Sequence, residues 1–330
     1  MVNSNKLLTF TVALLCLVTI QPPLSMAGEK LVIGHSLSVT ATLTIIAKTQ
    51  GYYVKEGLDV ELRNMRSGTV GVAAMLADEI DVSESPVFSL VANGFKRNDY
   101  RIFTTTAVYG NDNQVVARKD RGINSVRDLK KKKVGTLKGG LPHYVLGLML
   151  TKAGLAQKDV TIVLDEADNL SARLKSGELD AVCLYGGWID MLKQSMGENA
   201  VIIGDKNLLR VTGVQAAKRE KLEKNPALFT KLLKAYIRAE EFVKKNPDLA
   251  LKIVVDELKM DLTQAKAIWK PNLVHIGLDQ SLVVDMENIA RWQIESGLQN
   301  GQNIPNYLNF INFTLLEKIN PARVTIEHAR

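Results

Sequence analysis

From Glu29 to Ile203 short β-branched, apolar runs alternate with segments of helical length, which confines the chain to α/β folds in which helices cover sheets read as parallel. Strands are expected at 30–35, 59–63, 81–83, 100–106, 114–117, 133–137, 160–164, 181–184 and 200–203. Ser85-Pro86 and Leu141-Pro142 are read as helix starts, because a first helical position loses nothing by lacking an N–H. The pattern occurs twice. Gly57-Leu58-Asp59-Val60 leads to Asp78-Glu79-Ile80-Asp81, and Gly154-Leu155 with Asp159-Val160 leads to Gly177-Glu178-Leu179-Asp180, with 22 residues from Asp59 to Asp81 and 21 from Asp159 to Asp180. Such spacing points to two similar units facing a cleft. Beyond Arg219 the chain becomes a series of helices. Phe229, Leu232, Leu233, Tyr236, Ile237 and Val243 mark one apolar stripe, so these helices are expected to wrap one of the units.

The apolar stretch from Leu7 to Ile20 is 14 residues, short of the roughly 20 needed to span a bilayer. Lys6 before it and Ser25-Met26-Ala27 after it make it an export signal with cleavage after Ala27, and Leu15 before Cys16 argues against a lipoprotein. Removal of residues 1–27 leaves 41 basic and 35 acidic residues, a net charge of +6 on 303 residues. The run Lys130 to Lys133 lacks aromatic interleaving, so it reads as a solvated face and no nucleic-acid partner is expected. Only Cys183 remains after cleavage, so no intrachain disulfide can form and apolar cores must hold the fold.

The sequence has no phosphate-binding loop ending in Gly-Lys-Ser/Thr, no nucleophile elbow and no His-Glu-x-x-His zinc helix. Its four histidines are dispersed, so neither a cofactor nor a metal is expected. Ligands of open α/β sheets bind beyond the carboxyl ends of strands, and those positions here are polar or glycine-rich. They are Ser38 after the first strand, Ser67-Gly68-Thr69 after the second, Glu84-Ser85 after the third, Gly139-Gly140 with His143, and Tyr185 to Trp188. Ser67-Gly68-Thr69 and Gly139-Gly140 precede helices, whose free N–H groups and positive dipole ends suit an anion. Each feature also has a plainer reading. Ser67 serves equally as an N-cap, Gly139-Gly140 as a turn, His143 as a packing residue, and Tyr185 and Trp188 as hinge or core side chains. Glu84 opposes an anion unless it meets a cationic part of the ligand or is held by nearby donors.

The runs Ile46 to Val60, Asp128 to Gly135, Lys138 to Tyr144 and Lys152 to Leu155, behind an export signal, resemble the periplasmic solute-binding proteins of ABC importers. The branch in question binds alkanesulfonates, taurine, nitrate and thiamine-precursor pyrimidines. The resemblance implies a type II periplasmic binding protein fold, α/β with two doubly wound lobes joined by two crossover segments and C-terminal helices wrapping the first lobe. Lobe 1 would comprise 28–113 plus 212–330, and lobe 2 would comprise 114–211. It also implies a monomer that captures a small organic anion between the lobes and delivers it to an ABC permease and its ATPase, with Ser38, Ser67, Thr69, Ser85, Gly140, His143, Tyr185 and Trp188 in the site. A thiamine-precursor-like pyrimidine is the alternative ligand. A sensory module is an alternative of another class, and an enzyme is disfavoured because the similar thiamine-pyrimidine synthases use a cysteine-rich metal motif missing here. Three departures stand out. Lys131 replaces a usual glycine, read as a neutral surface change; Tyr185-Gly186-Gly187-Trp188 replaces Trp-Asp-Pro-aromatic; and Glu84 stands where a small neutral residue is usual.

Overall fold

A computed structural model describes residues 28–36, 39–110, 113–205, 207–259, 274–300 and 303–328, with 262, 265, 266 and 269 as isolated positions. The expected export signal at 1–27 and the candidate Ser38 lie outside the described residues. The strands are β1 (Glu29–Ser36), β2 (Leu58–Met65), β3 (Val82–Pro86), β4 (Tyr100–Gly110), β5 (Asn113–Arg118), β6 (Lys133–Thr136), β7 (Thr161–Leu164), β8 (Ala181–Tyr185), β9 (Ala200–Gly204) and β10 (Arg210–Lys218). The helices used below are α1 (Thr42–Thr49), α2 (Tyr52–Lys55), α3 (Gly68–Leu76), α4 (Phe88–Gly94), α5 (Leu141–Lys152), α6 (Ala167–Ser176), α7 (Gly187–Met196), α8 (Arg219–Lys224), α9 (Pro226–Lys245), α10 (Pro247–Leu258), α11 (Gln280–Glu295) and α12 (Thr314–Ile319).

Two five-stranded sheets result, in the orders β2-β1-β3-β10-β4 and β7-β6-β8-β5-β9. The chain leaves the first sheet at Gly110, enters the second at Asn113, leaves it at Gly204 and returns at Arg210. Each sheet is mixed, which corrects the expectation of parallel sheets. β10 runs antiparallel to β3 and β4, and β5 runs antiparallel to β8 and β9. Those are the strands that arrive from the other sheet, so they enter with reversed direction instead of through a βαβ crossover. Pro86 closes β3 instead of opening a helix, whereas Pro142 does lie in the first turn of α5.

The first lobe holds the larger core. Leu31, Ile33 and Val82 of its sheet pack with Ile45 and Ile46 of α1 and with Leu232, Leu233 and Tyr236 of α9, so the C-terminal helices do wrap it. The second lobe carries one cluster on each face of its sheet, around Val115, Val134 and Leu146 on one side and Val116, Leu170 and Leu184 on the other. α5 belongs to both lobes. Val145, Leu146, Met149 and Leu150 face the second core, while Leu141, Tyr144 and Leu148 pack against the first. A helix covered on opposite faces needs no polar stripe, which explains the nearly uninterrupted apolar sequence LPHYVLGLML.

Candidate functional site

In the first lobe β1, β2 and β3 are parallel neighbours, so their carboxyl ends open on one edge. There Ser67 adopts extended angles and caps α3, its Oγ accepting from the Val70 N–H at 3.2 Å, while its carbonyl takes the Gly71 N–H at 3.0 Å. The N–H groups of Gly68 and Thr69 then have no intrahelical acceptor, as at any helix start. Gly68 is required by crowding. A Cβ there would lie 2.6 Å from Ser89 Oγ and 2.8 Å from Pro86 Cδ, with Ser85 Cβ at 3.1 Å. Ser85 is therefore pressed against the α3 start, and its Oγ is buried without a hydrogen-bond partner.

Glu84 points the other way, as alternation along a strand dictates. It is 5% exposed, and its Oε2 accepts from Thr44 Oγ1 of α1 at 2.5 Å. Thr44 Oγ1 also meets Tyr236 Oη at 3.3 Å and takes a Gln215 Nε2 donor at 3.4 Å. Burial raises the Glu84 carboxyl to about 7, against the opposing pull of those neutral donors. The structure thus groups Glu84 with Thr44, Gln215 and Tyr236 inside the first lobe, on the face opposite Ser85. Of the two circumstances in which a carboxyl could stand there, the structure shows neighbouring donors, and it does not bring Glu84 to the α3 start.

In the second lobe β6 and β8 are parallel neighbours, which sets the Gly139-Gly140 turn beside the Tyr185 to Trp188 turn. Gly139 has φ +60°, and Gly186 has φ +51° with ψ −135°, values that side chains other than glycine's rarely accept. Gly140 is the N-cap of α5 and its carbonyl takes the His143 N–H at 3.0 Å. Pro142 supplies no donor, so the α5 start offers fewer free N–H groups than the α3 start. His143 is 3% exposed, neither ring nitrogen has a partner, and burial lowers its pKa below the ordinary imidazole value. Tyr185 and Trp188 are half-buried, and Trp188 packs on the core cluster around Leu170 and Leu184.

The lobes meet through aromatic side chains of α4, α5 and α11. Phe88, three residues after Ser85, stacks on Tyr144 with centroids 5.6 Å apart, and Tyr144 adjoins His143. Trp292 of α11 lies 5.1 Å from His143 at an interplanar angle of 87°, and 5.0 Å from Tyr144. Sequence reasoning missed Phe88, Tyr144 and Trp292 as the residues through which α5 meets the first lobe; the lack of a polar face on α5 was the available signal. Beside this contact, Phe88, Tyr144, Arg210, Thr212, Asp285 and Ile289 line a cavity of about 220 Å³. Among the described residues, no three His, Cys, Asp or Glu side chains come together to hold a metal ion, and no helix is long and apolar enough to cross a membrane. Cys183 is fully buried and burial pushes its thiol up, the opposite of what a thiolate nucleophile needs.

Residues 39–250, more than half of the chain, match the family described as NMT1/THI5 like. The chain belongs to the NMT1/THI5-like family. Among its relatives, a protein of Brucella abortus (strain 2308) provisionally named a binding protein is 27% identical over 228 residues, 67% of this chain and 68% of that one. A Bacillus subtilis (strain 168) protein provisionally named an aliphatic sulfonates-binding protein is 25% identical over 233 residues, 68% of this chain and 69% of its own. The fold of this family member is similar to that of the periplasmic aliphatic sulphonate binding protein from Escherichia coli, with TM-score 0.70 and 17% identity over 86% of this chain and 97% of the other. The desulfurization enzyme DSZB shares the fold as well, with TM-score 0.68 and 17% identity over 89% of this chain and 100% of that one. The fold alone therefore does not separate binding proteins from enzymes.

Proposed function

We propose that this NMT1/THI5-like chain is an extracytoplasmic solute-binding protein, monomeric and periplasmic, that captures a small organic anion between its lobes and delivers it to an ABC permease and its ATPase. The lobes are taken as 28–113 plus 212–330 and 114–211, moving about the two crossovers. The observation that carries the reading is a pair of buried polar side chains that lack a protein partner, one in each lobe: Ser85 Oγ beside the α3 start and the His143 ring in the first turn of α5, next to the Phe88–Tyr144 contact that joins the lobes. Buried polar groups of folded proteins are nearly always satisfied, so these are the groups a bound ligand would complete. The N–H groups of Gly68 and Thr69, with that of Gly139 in the other lobe, supply the anion's other donors, while the Gly140 N–H is held by the Leu137 carbonyl at 3.2 Å and Gly140 shapes the turn. Trp188 and Tyr185 cover its apolar part. An alkanesulfonate fits this chemistry, and the aliphatic sulfonates named for the Bacillus subtilis relative support it. The heterocycle reading draws on a Haemophilus influenzae relative provisionally named a thiamine biosynthesis protein, 30% identical over 142 residues, 42% of this chain and 43% of that one.

A thermal-shift screen of alkanesulfonates, taurine, nitrate and aminopyrimidines tests the reading. A ligand at 100 times its Kd stabilises by about 2.7 kcal/mol, which moves the melting point of a domain of this size class by several degrees, roughly 2–4 °C per kcal/mol. A shift with alkanesulfonates supports it, a shift with pyrimidines alone supports the heterocycle reading, and no shift with any of them contradicts both.

A further inference from the structure

We propose that Trp292, on the C-terminal helix α11, is the clasp that sets the closed spacing of the lobes, and that Gly147 is the notch it docks into. The proposal deepens the reading above, on which closure captures the ligand. Gly147 lies in the second turn of α5, inside the helix, where glycine is the poorest residue apart from proline and where neither a turn nor a left-handed backbone asks for it. Space is what asks for it. A Cβ on Gly147 would lie 2.9 Å from Trp292 Nε1 and 3.2 Å from Gln157 Nε2.

The indole is placed to bridge. It contacts Phe88 of the first lobe at 5.9 Å between centroids, and His143 and Tyr144 of the second at 5.1 and 5.0 Å. His143 and Gly147 are four residues apart, so they share one face of α5 and the Trp292 ring spans that face from the helix start to the notch. Trp292 is 9% exposed, and its Nε1 has no hydrogen-bond partner. Its removal would take away the ring against which His143 packs and leave the Phe88–Tyr144 stack as the remaining aromatic hold of the first lobe on the α5 start. Trp292 is thus a positioning residue for ligand capture, acting through His143 and the interlobe spacing.

The test is a double-mutant cycle of Gly147→Ala and Trp292→Ala in the full chain. It is read by small-angle scattering without ligand and by calorimetry with 1-hexanesulfonate. Each single variant is expected to show a larger radius of gyration than wild type and about tenfold weaker binding, the scale of an overpacked or vacated contact. Adding Gly147→Ala to Trp292→Ala should change neither value further, because the added methyl then has nothing to strike. Should Trp292→Ala fold poorly, Trp292→Phe takes its place, since it withdraws the indole edge from the notch and should likewise abolish the effect of Gly147→Ala. A Gly147→Ala protein with the wild-type radius and affinity overturns the clasp, as do effects that simply multiply in the double variant. If wild type fails to bind hexanesulfonate, the sulfonate reading falls while the scattering arm still decides the clasp.

Discussion

Glu84 and His143 show how burial sets the behaviour of single residues in this protein. Glu84 sits among neutral donors, with no ion pair to it among the described residues, so its charged form is disfavoured and its carboxyl rises from 4.5 to about 7. A raised folded-state pKa means that the folded protein binds the extra proton more tightly than the unfolded chain does. The stability it confers is full below about pH 4.5 and is lost as pH rises through about 7. The full loss is up to about 3 kcal/mol, at 1.36 kcal/mol per unit. Glu84→Gln should therefore match wild type in melting temperature at pH 4 and exceed it at pH 8; a variant that gains nothing at pH 8 would show that the carboxyl is not desolvated as described. His143 is the residue on which the proposed ligand site leans most. His143→Ala and Trp188→Ala should each weaken binding of a confirmed anion by about 1 to 3 kcal/mol, the usual result of losing a charge-assisted bond or an aromatic contact. Calorimetry on folded variants checks this, and wild-type affinity in both would refute the placement.

At the scale of elements, Lys131 shows both what the sequence holds and where reading it stops. Its resemblance-based reading as a neutral surface change does not survive the backbone, since Lys131 has φ +63°, in the left-handed region that favours glycine. Lys131→Gly should thus stabilise the second lobe by about 0.5 to 1 kcal/mol, the strain relieved less the added freedom of the unfolded chain. Denaturant unfolding that shows a loss instead would contradict the strain. Most of the elements were legible because strands such as Lys133–Thr136 and Ala181–Tyr185 are short β-rich runs between turn residues, and because α9 carries its apolar stripe at helical spacing. β10 was not read as a strand. Its nine residues, RVTGVQAAK, are almost all buried because both its neighbours and both its faces are covered, so no alternation marks it. The cap at Ser67 and the glycine turns before α5 and α7 were readable from residue type. The Phe88, Tyr144 and Trp292 contact was not, because its partners lie up to 204 residues apart in sequence and only the fold brings them together.

The whole molecule is two mixed sheets with two passages of chain between them, and an apolar helix, α5, shared by both cores. Such a body has a soft direction, rotation of one lobe against the other, because the interlobe contact is far smaller than either core. A ligand bridging the α3 and α5 starts should hold the lobes together. Small-angle scattering of Trp292→Ala, in which the clasp is released, should then show a smaller radius of gyration with a saturating ligand than without it; an unchanged radius under proven saturation would count against hinged capture. The central claim, that an anionic head group is held between the lobes, is tested most directly by titrating the protein in a calorimeter with 1-hexanesulfonate and, in parallel, with 1-hexanol, which keeps the chain and lacks the anion. The account predicts one-to-one binding of the sulfonate and no detectable heat from the alcohol. Equal binding of the two, or no binding of the sulfonate, would contradict it.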